Sequence, residues 1–364
     1  MRTVYALLAI LGCSSAVNLN FGGLFKIDLT IDANIREALN KLTNDCPVAQ
    51  DQVCPSQVTY WLYTRDNRDG RQIDENDLGG AGFIKKQLKI IVHGYTNDRN
   101  SLMMTSLINA YLDYGEYNII GIDWGYFVKD GCYLQGVYSI NPVAACLSGF
   151  LKKVIDCHGL ENFENIVHIL GHSLGGHVAG RTSSQMQRKH GVQFARLTRF
   201  DPALPLFFSG DENKGVADFR DTYHSNIGIL GQSAAEADVD VYLNNGQFQP
   251  GCGCDLACSH MKSVLYFAES INSEMWGIYC SAWSKLIDGK CDKHAEQDLR
   301  LLGDKVDQNE KYVSFITFGK EQSPYLFDKQ EYINDGTFNE FDSIGREECS
   351  DVIEDKIVAY LSGK

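Results

Sequence analysis

Beyond its first residues the chain contains no long apolar run, and nowhere does one reach the roughly 20 residues that a membrane helix needs. Basic residues are short: 33 Lys and Arg stand against 47 Asp and Glu, for a net charge of −14. That deficit excludes attraction to nucleic acid or to anionic membranes as the main activity, while contact with lipid through apolar loops stays open. Proline is also scarce, at seven residues, and there is no internal repeat or low-complexity tract to mark a linker. The length therefore permits one large α/β domain or two smaller ones, with no boundary written in composition. No Asn-x-Ser/Thr triplet occurs, so N-linked glycan is not expected.

What is present begins with a short basic and then apolar leader. Arg2, the apolar residues 4–11 and the small Ser14 and Ala16 predict a secretory signal over residues 1–16, removed on export. Residues 17–53 read as an N-terminal extension, and residues 327–364 as an acidic tail with a helix expected at 352–361. Secretion makes the twelve cysteines a disulfide framework. With Cys13 lost in the signal the remainder is odd, so one thiol is free or pairs with another chain. Cys252, Cys254 and Cys258 with His260 offer a zinc alternative, although C-x-C-x3-C-x-H is an unfamiliar ligand spacing.

Between these ends, strand-like and helix-like patterns alternate. Strands are predicted at residues 58–64, 88–92, 118–122, 166–170, 194–200 and 312–318, and helices at 101–113, 142–157, 174–188 and 261–270. Residues 66–82 and 207–245 read as polar and loop-rich. Such alternation predicts a mainly parallel sheet with helices on both faces, whose reactive groups gather at the carboxyl ends of the strands. Gly94, Asp123, Ser173 and Asp201 all fall there.

Gly171-His172-Ser173-Leu174-Gly175 is the centre of this pattern, entered from a β-branched strand and left by a helix of small residues. Glycines two residues to either side suit a strained turn that exposes the serine hydroxyl, and the helix points unpaired N–H groups at a developing oxyanion. Such a serine needs a base, and the base needs a carboxylate to hold its tautomer. Asp201, at the end of the next strand and followed by Pro202, fits the acid better than Asp221, Asp238 or Asp240. Three histidines follow: His260, on a loop that cysteines could brace just before a helix; His224, which suits a buried structural role; and His294, in a charged stretch. His260 is favoured as the base. His172 and His177 read as packing groups of the elbow and its helix. The backbone N–H of Tyr95, after the strand ending in His93-Gly94, would join that of Leu174 as an oxyanion donor.

The ordered motifs His93-Gly94-Tyr95, Ile122-Asp123-Trp124, Gly171 to His177, Asp201-Pro202-Ala203 and Cys258-Ser259-His260 resemble those of the animal pancreatic lipase family, over about residues 54–326. Its arthropod neutral lipases and phospholipases A1 are the nearest in character. The resemblance implies an α/β-hydrolase fold with Ser173 as nucleophile, Asp201 as acid and His260 as base, and no cofactor. It also implies the disulfides Cys252–Cys258, Cys280–Cys291 and Cys54–Cys132. Phe200 stands where the family usually has glycine, and Glu236-Ala237-Asp238 replaces its Gly-His-Asp-like run. No calcium ligands are convincing near Val216, so no metal is expected. Too little chain follows Phe318 for a lipid-binding β-sandwich, so no colipase partnership is expected. In this family a disulfide-closed loop before the catalytic histidine covers the site, and here only residues 252–258 are available for it. That favours phospholipid over triacylglycerol as substrate, with triacylglycerol hydrolysis second. A non-catalytic storage or lipid-binding role, as in relatives that lost the serine, stands against the retention of all three catalytic residue types.

Overall fold

The computed structural model describes residues 17–20, 26–29, 46–49, 54, 56–207, 214–280, 299–316 and 349. The expected signal peptide and terminal helix, along with Cys291 and His294, lie outside the described residues.

Strands β1 (Val17–Asn20) and β2 (Lys26–Leu29) form a separate antiparallel pair. The main body follows in chain order as β3 (Thr59–Thr64), β4 (Asn67–Ile73), β5 (Leu88–Val92), helix α1 (Leu102–Tyr114), β6 (Asn118–Asp123), α2 (Tyr133–His158), β7 (Val167–His172), α3 (Leu174–His190) and β8 (Phe194–Phe200). It continues as β9 (Ala217–His224), β10 (Val239–Leu243), α4 (Leu256–Asn272), β11 (Met275–Cys280), β12 (Leu299–Leu302) and β13 (Tyr312–Ile316). The main strands make one sheet in the order β12-β11-β13-β10-β9-β8-β7-β5-β6-β3-β4. From β13 through β6 neighbours run parallel, and antiparallel pairs finish both edges. The mainly parallel α/β-hydrolase arrangement is therefore present.

Central strands of a sheet covered on both faces are apolar on both sides, and these are: Ile90, Ile120 and Ile169 join one core with Val143, Leu147 and Val178 of α2 and α3. Their neighbours Ile91, Ile119 and Leu170 join the opposite core with Leu107 of α1 and Phe267 of α4. The period of two along each strand thus divides the molecule into two helical layers.

Where the fold departs from expectation, buried polar residues are the cause. Residues 207–245 contain the strands β9 and β10, and β9 buries Arg220, Asp221, Thr222 and His224. Hydropathy hides such a strand because each polar group finds its partner inside the sheet. Asp221 takes a bidentate pair from Arg196, at 2.6 and 3.2 Å, and the Thr198 hydroxyl at 2.6 Å. Because that hydroxyl donates to Asp221, it accepts from His168 Nε2–H at 2.7 Å, which leaves His168 Nδ1 to accept from Lys89 at 3.4 Å. The chain of donors crosses β5, β7, β8 and β9 near their amino ends. Arg196 extends it to the carbonyls of Gly303 and Asp304.

Helix α2 also begins earlier than predicted, at Tyr133, so that Pro142 lies inside it. The disulfide Cys54–Cys132 is not formed. Cys132 bonds Cys46, and Cys54 bonds Cys146. Cys132 and Cys146 stand about 21 Å apart along one helix. Between them the Ala49 N–H donates to Ser139 Oγ at 3.0 Å, so residues 46–49 lie against α2.

Lys89 is wholly buried, and desolvation brings its pKa from 10.5 down to about 8. An unfolded chain then binds more protons than the folded one between pH 8 and 10.5, so this lysine's contribution to stability rises with pH through that window and is lost as pH falls through 8. The variant Lys89→Met is expected to abolish a rise of roughly 3 kcal/mol. Denaturant unfolding of variant and wild type between pH 7 and 10.5 measures the difference.

Candidate active site

Ser173 joins β7 to α3 with φ 55° and ψ −125°, a conformation that costs a residue with a side chain and persists only where its surroundings enforce it. The enforcement is backbone crowding. A Cβ on Gly171 would lie 2.3 Å from the Gly175 carbonyl oxygen, and one on Gly175 would lie 2.3 Å from that of Val92 and 2.4 Å from that of His93. Glycine at both positions lets β7, α3 and β5 meet. Gly94 closes the third side, since a Cβ there would come within 2.8 Å of Ser173 Cβ and 3.4 Å of the Leu174 nitrogen. The loop bearing Tyr95 is thus pressed against the first turn of α3, where helix N–H groups lack intrahelical partners.

His93 and Trp124 hold that loop. The Trp124 backbone N–H donates to His93 Nε2 at 3.1 Å, and its indole N–H donates to the His93 carbonyl at 2.8 Å. The Tyr95 hydroxyl accepts from the Gly131 N–H at 2.8 Å, and the Tyr95 carbonyl accepts from the side chain of Asn97 at 2.7 Å. These bonds fix the chain on both sides of the Tyr95 nitrogen.

Asp201 is fully buried at the end of β8 with φ 40°. Its Oδ1 accepts the N–H groups of Ser225 and Asn226 at 2.9 and 3.1 Å, and its Oδ2 accepts His260 Nδ1–H at 2.5 Å. With Nδ1 committed, the other nitrogen of His260 is the basic one, and that Nε2 is buried with no hydrogen-bond partner among the described residues. The base is held by its backbone as well. Its carbonyl accepts from His172 Nε2 at 3.1 Å, Ser225 Oγ at 3.2 Å and Ser263 Oγ at 3.1 Å. Because His172 directly precedes Ser173, that bond ties the elbow to the helix carrying the base.

His260 lies inside α4, not on a loop before it. Asp255 caps that helix by accepting the Cys258 N–H at 3.0 Å, and the Cys252–Cys258 bond closes the turn leading in. Cys254 is bonded to Cys349, so the zinc alternative has no thiolate left. Cys280 is disulfide-bonded, while its expected partner lies outside the described residues. Among the described residues the free thiol is Cys157, which is exposed. His224 stacks on Tyr242 and lies 2.9 Å from Asp240 and 2.9 Å from the Gln232 carbonyl. His177 stacks on Phe207 and bonds the Ala203 carbonyl at 2.8 Å; burial brings its pKa down to about 3. Phe200, in place of glycine, packs edge-on against Phe267 of α4, and the left-handed backbone falls on Asp201 instead.

The lipase family model matches residues 30–325. The chain belongs to the lipase family. It is similar to a phospholipase A1 of Vespa velutina, 28% identical over 61% of this chain and 79% of the relative. It is also similar to magnifin, a probable phospholipase A1 of Vespa magnifica, 27% identical over 61% of this chain and 72% of that protein. Among solved structures, Est1E from Butyrivibrio proteoclasticus is similar at 13% identity and a TM-score of 0.26, over 43% of this chain and 51% of that one. Membership makes the chain a serine ester hydrolase of the α/β-hydrolase class, acting on lipid esters.

The residue whose part the motifs left open is His172. Burial, and after it the charge of the neighbouring His260, hold its pKa well below the usual histidine range, so the ring stays neutral. It lies 4.5 Å from the His260 ring, and a charged ring there would oppose the imidazolium that forms during catalysis. The variant His172→Ala is expected to lower kcat on a short soluble ester about tenfold with little change in KM, because a base displaced from its line loses rate before it loses binding. Steady-state kinetics beside circular dichroism separates this effect from unfolding.

Proposed function

We propose that the chain is a secreted phospholipase A1-like enzyme that releases a fatty acid from phospholipid through an acyl-enzyme on Ser173. In the first half of the reaction His260 Nε2 takes the hydroxyl proton as Ser173 Oγ attacks the acyl carbonyl. The backbone N–H groups of Tyr95 and Leu174 receive the oxyanion, and Asp201 stabilises the charged imidazole. Collapse breaks the ester bond, with His260 returning the proton to the departing lysophospholipid oxygen. Water then repeats the sequence on the acyl-enzyme and frees the fatty acid. The observation that carries the assignment is the buried pair of Asp201 and His260 at 2.5 Å, with the other nitrogen of the base, Nε2, buried and without a hydrogen-bond partner among the described residues.

Substrate class rests on the loop before the base. Cys252 and Cys258 are bonded, and Cys254 within the same loop is bonded to Cys349. A loop of this length, cross-linked twice, cannot provide a swinging apolar cover of the kind that interfacial activation on triacylglycerol requires. The names of the relatives from Vespa velutina and Vespa magnifica agree with phospholipid as substrate. Export is supported by the leader in the sequence and by disulfides that an oxidising compartment maintains. Among the described residues no helix is long and apolar enough to cross a membrane.

Hydrolysis of a phospholipid labelled differently at its two acyl positions, run beside triolein, tests the assignment. Release from the first position is expected, with triolein a poor substrate; cleavage of triolein alone would overturn the lid argument. The variant Ser173→Ala is expected to lose about three orders of magnitude or more in rate while keeping its fold, and unchanged hydrolysis by it would sink the mechanism.

A further inference from the structure

Beside the oxyanion loop lies an open cleft of about 470 Å³ that the ester-cleaving residues do not use. One wall is Thr96 and Asn97, directly following Tyr95, and the other runs from Asp123 to Asp130. The walls are joined at the Thr96 N–H, which donates to the Val128 carbonyl at 2.8 Å. The cleft also adjoins the elbow. A Cβ on Gly136 would touch both Val128, at 2.9 Å, and the Leu174 side chain, at 3.3 Å, so a lining residue and the elbow residue flank one helical position. Thr96 and Asn97 are two and three residues beyond Gly94, which packs on Ser173, so the cleft begins within about 7 Å of Gly94 along the chain.

Its chemistry is of two signs and includes an aromatic face. Asp98, Asp123 and Asp130 contribute carboxylates, and Lys129 contributes the cation. Tyr126 is 41% exposed, and its ring is set edge-on against the buried Phe127 at 5.2 Å. The outer face of that ring already attracts a cation: the Lys129 ammonium lies 4.5 Å from its centroid. An aromatic face among carboxylates is the recognition chemistry of alkylammonium groups, and a mobile lysine beside it suits a phosphate.

We propose that this cleft binds the head group of a zwitterionic phospholipid, with its ammonium on Tyr126 between Asp98 and Asp130 and its phosphate on Lys129, and so sets head-group selectivity. The proposal rests on the phospholipase reading above. When such a head group binds, Lys129 leaves the ring face for the phosphate and the ligand's ammonium replaces it. An anionic head group without an ammonium meets an excess of carboxylates and binds poorly.

The test uses the full chain with dihexanoyl phosphatidylcholine and dihexanoyl phosphatidylglycerol, both as monomers below their micellar thresholds, and with p-nitrophenyl butyrate as an ester that has no head group. Wild type is expected to prefer the choline lipid in kcat/KM. The double variant Asp98→Asn/Asp130→Asn, which keeps the side-chain oxygen that caps the turn at Asn100, is expected to raise KM for the choline lipid about tenfold and narrow the preference, with p-nitrophenyl butyrate turnover unchanged. Tyr126→Leu is expected to act in the same direction, and it decides alone if the double variant also loses the short ester. An unchanged KM for the choline lipid in variants that still cleave the short ester would overturn the proposal. Wild type that cleaves the short ester but neither phospholipid would instead overturn the phospholipase reading, and this proposal with it.

Discussion

Three backbone segments meet at Ser173 more closely than side chains would allow, and the rest of the site follows from that contact. The carbonyl oxygens of Val92 and His93 sit where a Cβ on Gly175 would be, and Gly94 lies against the serine itself. Because the strand end of β5 and the first turn of α3 share this space, the Tyr95 loop cannot drift from the helix N-terminus. Under the proposed mechanism, two donors on separate elements thereby become one oxyanion site, preorganised before any substrate arrives. The strained dihedrals of Ser173 are the local cost, and the packed α/β layers around the elbow supply the stability that offsets it.

The two ends of the sheet use buried polarity differently. At the amino ends, Lys89, His168, Thr198, Asp221 and Arg196 satisfy one another across adjacent strands, and Arg196 binds the turn at Gly303 and Asp304. That network closes on itself and knits strands to the segment joining β12 and β13. At the carboxyl ends the network stays open. Asp201 accepts three hydrogen bonds and the His260 carbonyl three more, while His260 Nε2 and His172 Nδ1 are buried without a hydrogen-bond partner among the described residues. A closed network rigidifies, whereas an open one directs its unsatisfied atom at chemistry.

Disulfides extend the same division. Cys46–Cys132 and Cys54–Cys146 tie Cys46 and Cys54 to α2, far from the elbow in sequence, and serve to hold a helical layer. Cys252–Cys258 and Cys254–Cys349 instead hold the turn before α4, and with it the helix that carries the base. Where a longer loop would be free to open and close, this one is held by two cross-links.

Much of the scaffold was legible in the residues because its signals are local. The strands 88–92 and 194–200 have the bounds expected of them, since each is a short apolar-rich stretch of strand length between turn signals. The glycines around Ser173 and the order of Asp201 and His260 after it likewise follow from backbone geometry that a short motif can encode. What could not be read were features whose stability comes from partners distant in the chain. Strands β9 and β10 looked like loop because their polar residues are satisfied by Arg196 and by one another. The partner of Cys54 is Cys146 and not the Cys132 that the family resemblance implies, because Cys132 is taken by Cys46, and which thiols meet depends on contacts distant in the chain. The placing of His260 within α4 was decided by a cap at Asp255 and a closed turn before it. Local sequence determined the elbow and the central strands, since their conformations are set by neighbours in the chain. Only the tertiary structure decided which polar groups are satisfied and which one is left to react, because a hydrogen-bond partner is a matter of position in space.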